Sequence, residues 1–373
     1  MVKNEVYKAI AVLVGTIIGA GVLGIPYVVA QAGFLTGLLD IVLLGIVILL
    51  INLAVGEVVL RTKGKHQLTG YAQKYLGGKG RALMTFSMAF GIYGALLAYL
   101  IGVGEALGAI FSANPFWFSL GFFVMVSSII YFGIKGVASS ELLLSSAVIF
   151  LVLLISAVAF FSGRMELSNL TEFSLMKLFI PYGVILFAFI GAASVPEAGE
   201  VLVKNKRSLK KAIIIGSLIP LAMYVIFTTA VVGVFGIKIT EVATVGLGLV
   251  FGKWIVILAN LFAVFAMTTS FLALGLALRE MYNYDYKVSK FSSWAFTIFV
   301  PFVIFLFGFK SFINVIGTTG VIAGGVEGTL IVLMLWKAKK KSERKPEYSI
   351  GVSKLIGAIL IGVFILGVIL NFI

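Results

Sequence analysis

Two short stretches, Gly15-Thr-Ile-Ile-Gly-Ala-Gly-Val-Leu-Gly-Ile-Pro26 and Phe187-Ala-Phe-Ile-Gly-Ala-Ala-Ser-Val-Pro-Glu-Ala-Gly-Glu200, set glycine, alanine and proline inside otherwise apolar runs. In a helix interior glycine costs about 1 kcal/mol relative to alanine and proline about 3 kcal/mol, so a plain apolar rod would exclude them. The pattern predicts that each helix opens. Backbone groups freed by an opening cannot stay unpaired in hydrocarbon and need protein, water or a ligand as partner. N–H groups at the start of a half-helix, with the positive end of its dipole, suit a carboxylate; carbonyls at the end of one suit an ammonium group or a sodium ion. A zwitterion fits both. The opened turn at Ile18 and Gly19 thus leads to the N–H groups of Ala20, Gly21 and Val22 as a carboxylate cradle, with Gly21 admitting the ligand to the backbone. The carbonyls near Phe187, Ala188 and Ile190, beside Gly191, are the matching acceptors for the amine. A competing reading has the glycines serving only close helix packing, as in small-xxx-small motifs.

Other polar residues stand in the apolar runs. Acids there are costly and functional by default, which makes Glu105, Glu197 and Glu327 candidates for proton carriage or gating. The alternative for each is a structural hydrogen bond, or for Glu197 a carboxylate at a helix start. Tyr93 and Tyr99 offer hydroxyls to the ligand carboxylate. Glu57 precedes Arg61 by four residues and reads as its ion-pair partner at the membrane edge. Asp40, near the outer mouth, and the lone His66, in a basic loop, read as solvated. Gly191, Ala192 and Ala193 leave room for a substantial side chain, and no ionic pair suits a charged one, which favours neutral or aromatic ligands.

The elements that must position these residues are membrane helices. Of the 373 residues 61% are hydrophobic and 12% charged, too much apolar side chain for a soluble domain to hide. Runs of roughly 20 apolar residues, enough to cross a bilayer, fall near 6–31, 36–60, 82–111, 115–134, 141–162, 176–203, 211–235, 252–279, 292–309, 312–336 and 353–372. About eleven helical spans are expected, with no cleavable signal peptide. The chain has no cysteine, so no disulfide or thiolate metal site is expected.

The net charge of +14 follows topology rather than nucleic acid. With the N-terminus cytoplasmic, only Arg164, Lys177, Lys238, Lys253 and Lys310 fall outside, and the basic clusters at 61–81, 204–211, 279–290 and 337–354, with Lys135, lie inside. The C-terminus is then external. Residues 65–78 predict a short helix on the inner surface, stopped by Gly-Gly; residues 237–251 predict a lid or connector. Spans one and six are five apart, so equivalent positions enter the membrane from opposite sides. Interrupted helices at matching positions of inverted halves point to a transporter's binding site. The expected organisation is one domain of repeat one (1–162), repeat two (170–340) and an appended helix (353–372), functioning as a monomer in the lipid bilayer.

The residues also carry a resemblance. "GTIIGAGVLGIPYVVAQAGF" of span one resembles the first helix of the amino acid/auxin permease group and the related aromatic and hydroxy amino acid permeases, within the amino acid-polyamine-cation superfamily. "MTTSFLALGLALREMYNYDYK" is similar to their eighth helix, and "FAFIGAASVPE" more loosely to their sixth. The resemblance runs over most of the chain and implies a LeuT-like 5+5 inverted repeat with broken helices 1 and 6, amino acid substrates, and symport with sodium or protons, with no other cofactor. It implies a sodium site from the carbonyls of Gly15, Ile18 and Ala266 with the hydroxyls of Thr269 and Ser270, and makes Phe187 a gate over the substrate. Such hydroxyls also commonly bond back to their own helix. Where related sodium-coupled transporters carry an asparagine this chain has Gly15, and the fifth-helix lysine of some proton-coupled relatives is missing between Glu141 and Ser162.

The expected function is secondary active amino acid transport by alternating access. A sensor or channel-like protein on the same scaffold is the alternative, but no filter repeat or continuous polar lining is visible and both tails are short. An intramembrane enzyme is disfavoured, because one histidine and no cysteine leave no nucleophile–base constellation.

Overall fold

The computed structural model describes residues 2–132, 137–246 and 252–371; Lys135 and residues 247–251 of the expected connector lie outside the described residues. All secondary structure among the described residues is helical. The helices are α1 (Val2–Ile17), α2 (Gly21–Ala32), α3 (Phe34–Arg61), α4 (Leu68–Phe111), α5 (Pro115–Phe132), α6 (Val137–Phe161), α7 (Tyr182–Phe189), α8 (Ser194–Val201), α9 (Leu209–Phe235) and α10 (Ala243–Gly246), followed by α11 (Lys253–Glu280), α12 (Lys290–Leu306), α13 (Phe312–Thr319), α14 (Gly325–Lys340) and α15 (Lys354–Asn371). Among the described residues seven helical segments are long and apolar enough to cross a membrane, and the bent pair Glu5–Ile17 and Gly21–Ala32 passes as an eighth. Three shorter apolar helices, Ile149–Phe161, Lys290–Leu306 and Lys354–Leu370, accompany them. The expected surface helix is the first part of α4, which Gly77 turns at φ 78 before the helix runs on to Phe111.

Two groups of helices organise the molecule. Helices α1, α2, α3, α7, α8 and α9 pack on one another, with α9 against α1, α2 and α3. Helices α4, α5, α11 and α12 form a second group, and α13 and α14 join it to the first through α7 and α3. A π turn, Gly320–Gly324, links α13 to α14 and lies against α7. Small residues at these contacts let backbones approach where lipid offers no hydrophobic drive between helices.

The connection between α14 and α15 straps the end of α3. The buried Glu57 carboxylate accepts from Arg61 Nε at 2.8 Å, from Ser349 Oγ at 2.8 Å and from the Ile350 N–H at 2.7 Å. Tyr348 donates its hydroxyl to the Leu53 carbonyl at 2.8 Å, and Arg344 Nη1 donates to the Leu60 carbonyl at 3.0 Å. The Glu57–Arg61 pair expected from spacing is present and extends into this strap.

Candidate functional site

The two glycine-rich stretches meet. Helical winding stops at Ile17 and resumes at Gly21, where the axes of the two helices differ by 54°. In the second stretch α7 ends at Phe189, Ile190 leaves helical geometry at φ −59 and ψ 121, and α8 starts at Ser194. A Cβ on Gly21 would lie 2.7 Å from the Ala188 Cα, and one on Gly191 would collide with the Ile17 side chain. Gly21 therefore admits the backbone of α7, and Gly191 admits the Ile17 side chain. Tyr224 of α9, fully buried, directs its hydroxyl at the Ile17 carbonyl at 2.8 Å and the Ala188 carbonyl at 2.8 Å. One phenol thus joins the last carbonyl of α1 to the end of α7.

The N–H groups at the start of α2 are largely open. Among the described residues those of Ala20 and Gly21 form no hydrogen bond, and that of Val22 reaches the Gly19 carbonyl only at 3.4 Å. No side chain caps this helix, although Ala20 and Gly21 are buried. Buried N–H groups normally find partners, and a helix start concentrates positive potential, so the arrangement suits an anion. Of the carbonyls expected to take an amine, that of Phe187 accepts from the Ile190 N–H at 3.2 Å and that of Ala188 from Tyr224. Each carbonyl keeps a second lone pair. The Phe187 side chain is half-buried at the same end of α7.

Tyr99 stands beside the opening: a Cβ on Gly19 would lie 3.9 Å from its hydroxyl oxygen. Ser270 lies beside that hydroxyl, which brings α4 and α11 to the same place. Tyr93 is directed elsewhere, its hydroxyl 2.8 Å from that of Tyr282 and donating to the Phe296 carbonyl at 3.1 Å. Thr269 donates to the carbonyls of Phe265 at 3.1 Å and Ala266 at 2.9 Å in its own helix. The Ile18 N–H bonds back to the Val14 carbonyl at 2.8 Å, and Gly15, lacking a side chain, adds no oxygen of its own beyond the backbone.

The three acids are dispersed. Glu105 of α4 is half-buried and faces Glu241, whose carboxylate accepts from Ser311 Oγ at 3.0 Å and from the Ile313 N–H at 3.1 Å, holding the start of α13. Glu197 lies exposed in the first turn of α8, where the dipole favours it. Glu327 is buried in the first turn of α14. Asp40 corrects the expectation of a solvated carboxylate: it is 5% exposed, and its Oδ2 has no hydrogen-bond partner. Span position alone suggested water, whereas α7 packs on α3 and brings Tyr182 near Asp40. His66 is half-buried with its ring against Tyr71, centroids 5.4 Å apart.

Sequence reasoning missed Tyr224. The signal was present: it is the single tyrosine of α9, a polar tip in an apolar span, and a buried tyrosine hydroxyl needs a partner.

Residues 2–372 match the tryptophan/tyrosine permease family. The chain is 27% identical over 396 residues to tyrosine-specific transport system 1 of Haemophilus influenzae, covering 97% of this chain and 96% of that one. It is 25% identical over 333 residues to glutamine transporter 2 of Aliivibrio fischeri, covering 85% of each. Its fold is that of MhsT, whose crystal structure in complex with L-phenylalanine superposes with a TM-score of 0.68 at 16% identity, over 98% of this chain and 97% of that one.

Proposed function

The chain belongs to the tryptophan/tyrosine permease family, and from that premise we propose that it is a secondary active transporter carrying neutral or aromatic amino acids across the cell membrane by alternating access. The observation that carries the reading is the pair of buried, unpartnered N–H groups of Ala20 and Gly21 at an uncapped helix start, which suits the carboxylate common to all amino acids. The amine is held toward the end of α7, where the backbone of Ile190 leaves the helix, and Tyr99 closes the side of the site next to Gly19. Ile17 takes the room expected beside Gly191, so the substrate's side chain projects toward Ala193.

In this reading α1 with α2, and α7 with α8, are broken spans one and six. The eight long segments and three shorter apolar helices make eleven crossings as a 5+5 inverted repeat plus α15, with the N-terminus cytoplasmic, the C-terminus outside, and a monomer as the working unit. Substrate and coupling ion bias the outward-facing and inward-facing states by their differential affinity. The coupling ion is sodium or a proton: Thr269 donates to the Ala266 carbonyl yet keeps lone pairs for a cation, while Gly15 offers sodium only its backbone carbonyl.

Counterflow in proteoliposomes is the test. Labelled L-tyrosine, L-tryptophan, L-phenylalanine and L-glutamine are offered outside vesicles loaded with the same unlabelled amino acid. Transient accumulation of at least one is expected; no exchange of any, with correctly inserted protein, contradicts the reading.

A further inference from the structure

Beneath α8 lies a cavity of about 240 Å³ that the substrate site does not use. Its walls come from the end of α3, the α3–α4 connection, α8 with the turn after it, and the α14–α15 strap. Four basic side chains line it, Lys63, Lys65, Lys206 and Arg344, against one carboxylate, Glu200. That carboxylate is already engaged: Lys65 Nζ lies 2.7 Å from it. Arg344 is balanced by Glu347 at 2.6 Å. Among the described residues neither Lys63 nor Lys206 forms a close ion pair; Glu343, paired with Lys74, reaches Lys63 through its N–H and at longer range, so the cavity lining keeps an excess of positive charge. A concave wall of low dielectric focuses such a field. The rest of the lining includes the apolar side chains of Val59 and Val203, so the cavity combines basic and apolar side chains.

We propose that this cavity is a binding site for a phosphate group, held between Lys63 and Lys206, with the headgroup of an anionic phospholipid or a free phosphate as its source. The chemistry is that of an ammonium pair on phosphate oxygens, charge-assisted hydrogen bonds from freely rotating donors. Lys63 belongs to the α3–α4 connection and Lys206 to the turn between α8 and α9. A phosphate bridging them adds a second tie parallel to the Lys65–Glu200 bridge and fixes α8 against α3. Binding does not depend on the transport reading; the consequence that an occupied site slows movement of α8 does.

Thermal unfolding of the full chain in phosphatidylcholine nanodiscs, with and without phosphatidylglycerol, reads the binding. A separate arm adds inorganic phosphate, compared with chloride at matched ionic strength. The expected result is a rise in unfolding temperature of at least roughly 3 °C from one phosphate source in the wild type, lost in the Lys63→Gln/Lys206→Gln variant and kept in Lys210→Gln, a neighbouring lysine that does not line the cavity. Should the double variant not purify, Lys206→Gln alone serves. A shift with phosphatidylglycerol only assigns the site to a lipid headgroup, and one with inorganic phosphate assigns it to a soluble ligand. No shift from either source overturns the proposal, as does a shift that survives loss of both lysines. Counterflow on the same samples keeps failure of the transport reading distinct from failure of the site.

Discussion

The hydroxyl of Tyr224 lies 2.8 Å from the carbonyl of Ala188, and its bond to Ile17, of the same length, makes it the pin through the crossing of the two glycine-rich stretches. Removing the hydroxyl leaves two buried carbonyls without that donor. Tyr224→Phe is therefore expected to lower stability by about 1–3 kcal/mol, measured by thermal unfolding in detergent, and to weaken the stabilisation given by a transported amino acid. Unchanged stability together with unchanged ligand response would show that the pin is dispensable.

Gly21 and Gly19 differ sharply in what a side chain would meet. At Gly21 a methyl group would press on the Ala188 backbone at 2.7 Å, which cannot yield without moving α7; at Gly19 it would meet only the Tyr99 hydroxyl at 3.9 Å. Overpacking of this kind typically costs about 1–3 kcal/mol, enough for a roughly fivefold or larger fall in counterflow in Gly21→Ala. Gly19→Ala should stay within about twofold of wild type. Equal tolerance at both positions would contradict the close approach of α2 and α7.

The crossing was partly legible in the sequence and partly not. Glycines and prolines in the two stretches marked where helices would be difficult to continue, because that information is local. The same holds for Glu57 and Arg61, one helical turn apart. Tyr224 was not legible as a pin, since its partners are carbonyls more than thirty and two hundred residues away, and main-chain acceptors carry no residue identity. Asp40 failed for a related reason: its burial depends on which helices pack over α3, which spacing along one span does not encode. Tyr93 and Tyr99 read alike as aromatic alcohols of one helix, yet six residues separate them, about 9 Å along the axis, and only Tyr99 reaches Gly19.

Glu57 is a buried carboxylate with three donors, from Arg61, Ser349 and Ile350. Glu57→Gln leaves Arg61 without its counter-charge and should lower stability by about 2–4 kcal/mol. Ser349→Ala, which removes one neutral donor, should lower it by only about 1 kcal/mol. Thermal unfolding of both variants checks the order; a Ser349 variant as damaged as the Glu57 variant would contradict it.

Glu343, on the strap outside the spans, gives a pH dependence with a definite sign. The Lys74 ammonium hydrogen-bonded to it, and then the Lys63 N–H, hold its carboxyl below the ordinary carboxylate range. A depressed carboxyl contributes stability at neutral pH that is lost as pH falls through its folded-state value. The stability difference between wild type and Glu343→Gln should therefore shrink on acidification below the ordinary carboxylate range, and high salt should reduce it at neutral pH. A difference that grows in acid would reverse the assignment.

The direct test of the backbone cradle is competition at the transport site. Each amino acid that shows counterflow is compared with its own amide and with its decarboxylated amine, which keep the side chain and the ammonium group but present no carboxylate to Ala20 and Gly21. The expected result is that both analogues compete at least roughly a hundredfold more weakly, a loss of about 2.7 kcal/mol. Analogues without a carboxylate that compete as well as the parent amino acid would contradict the cradle.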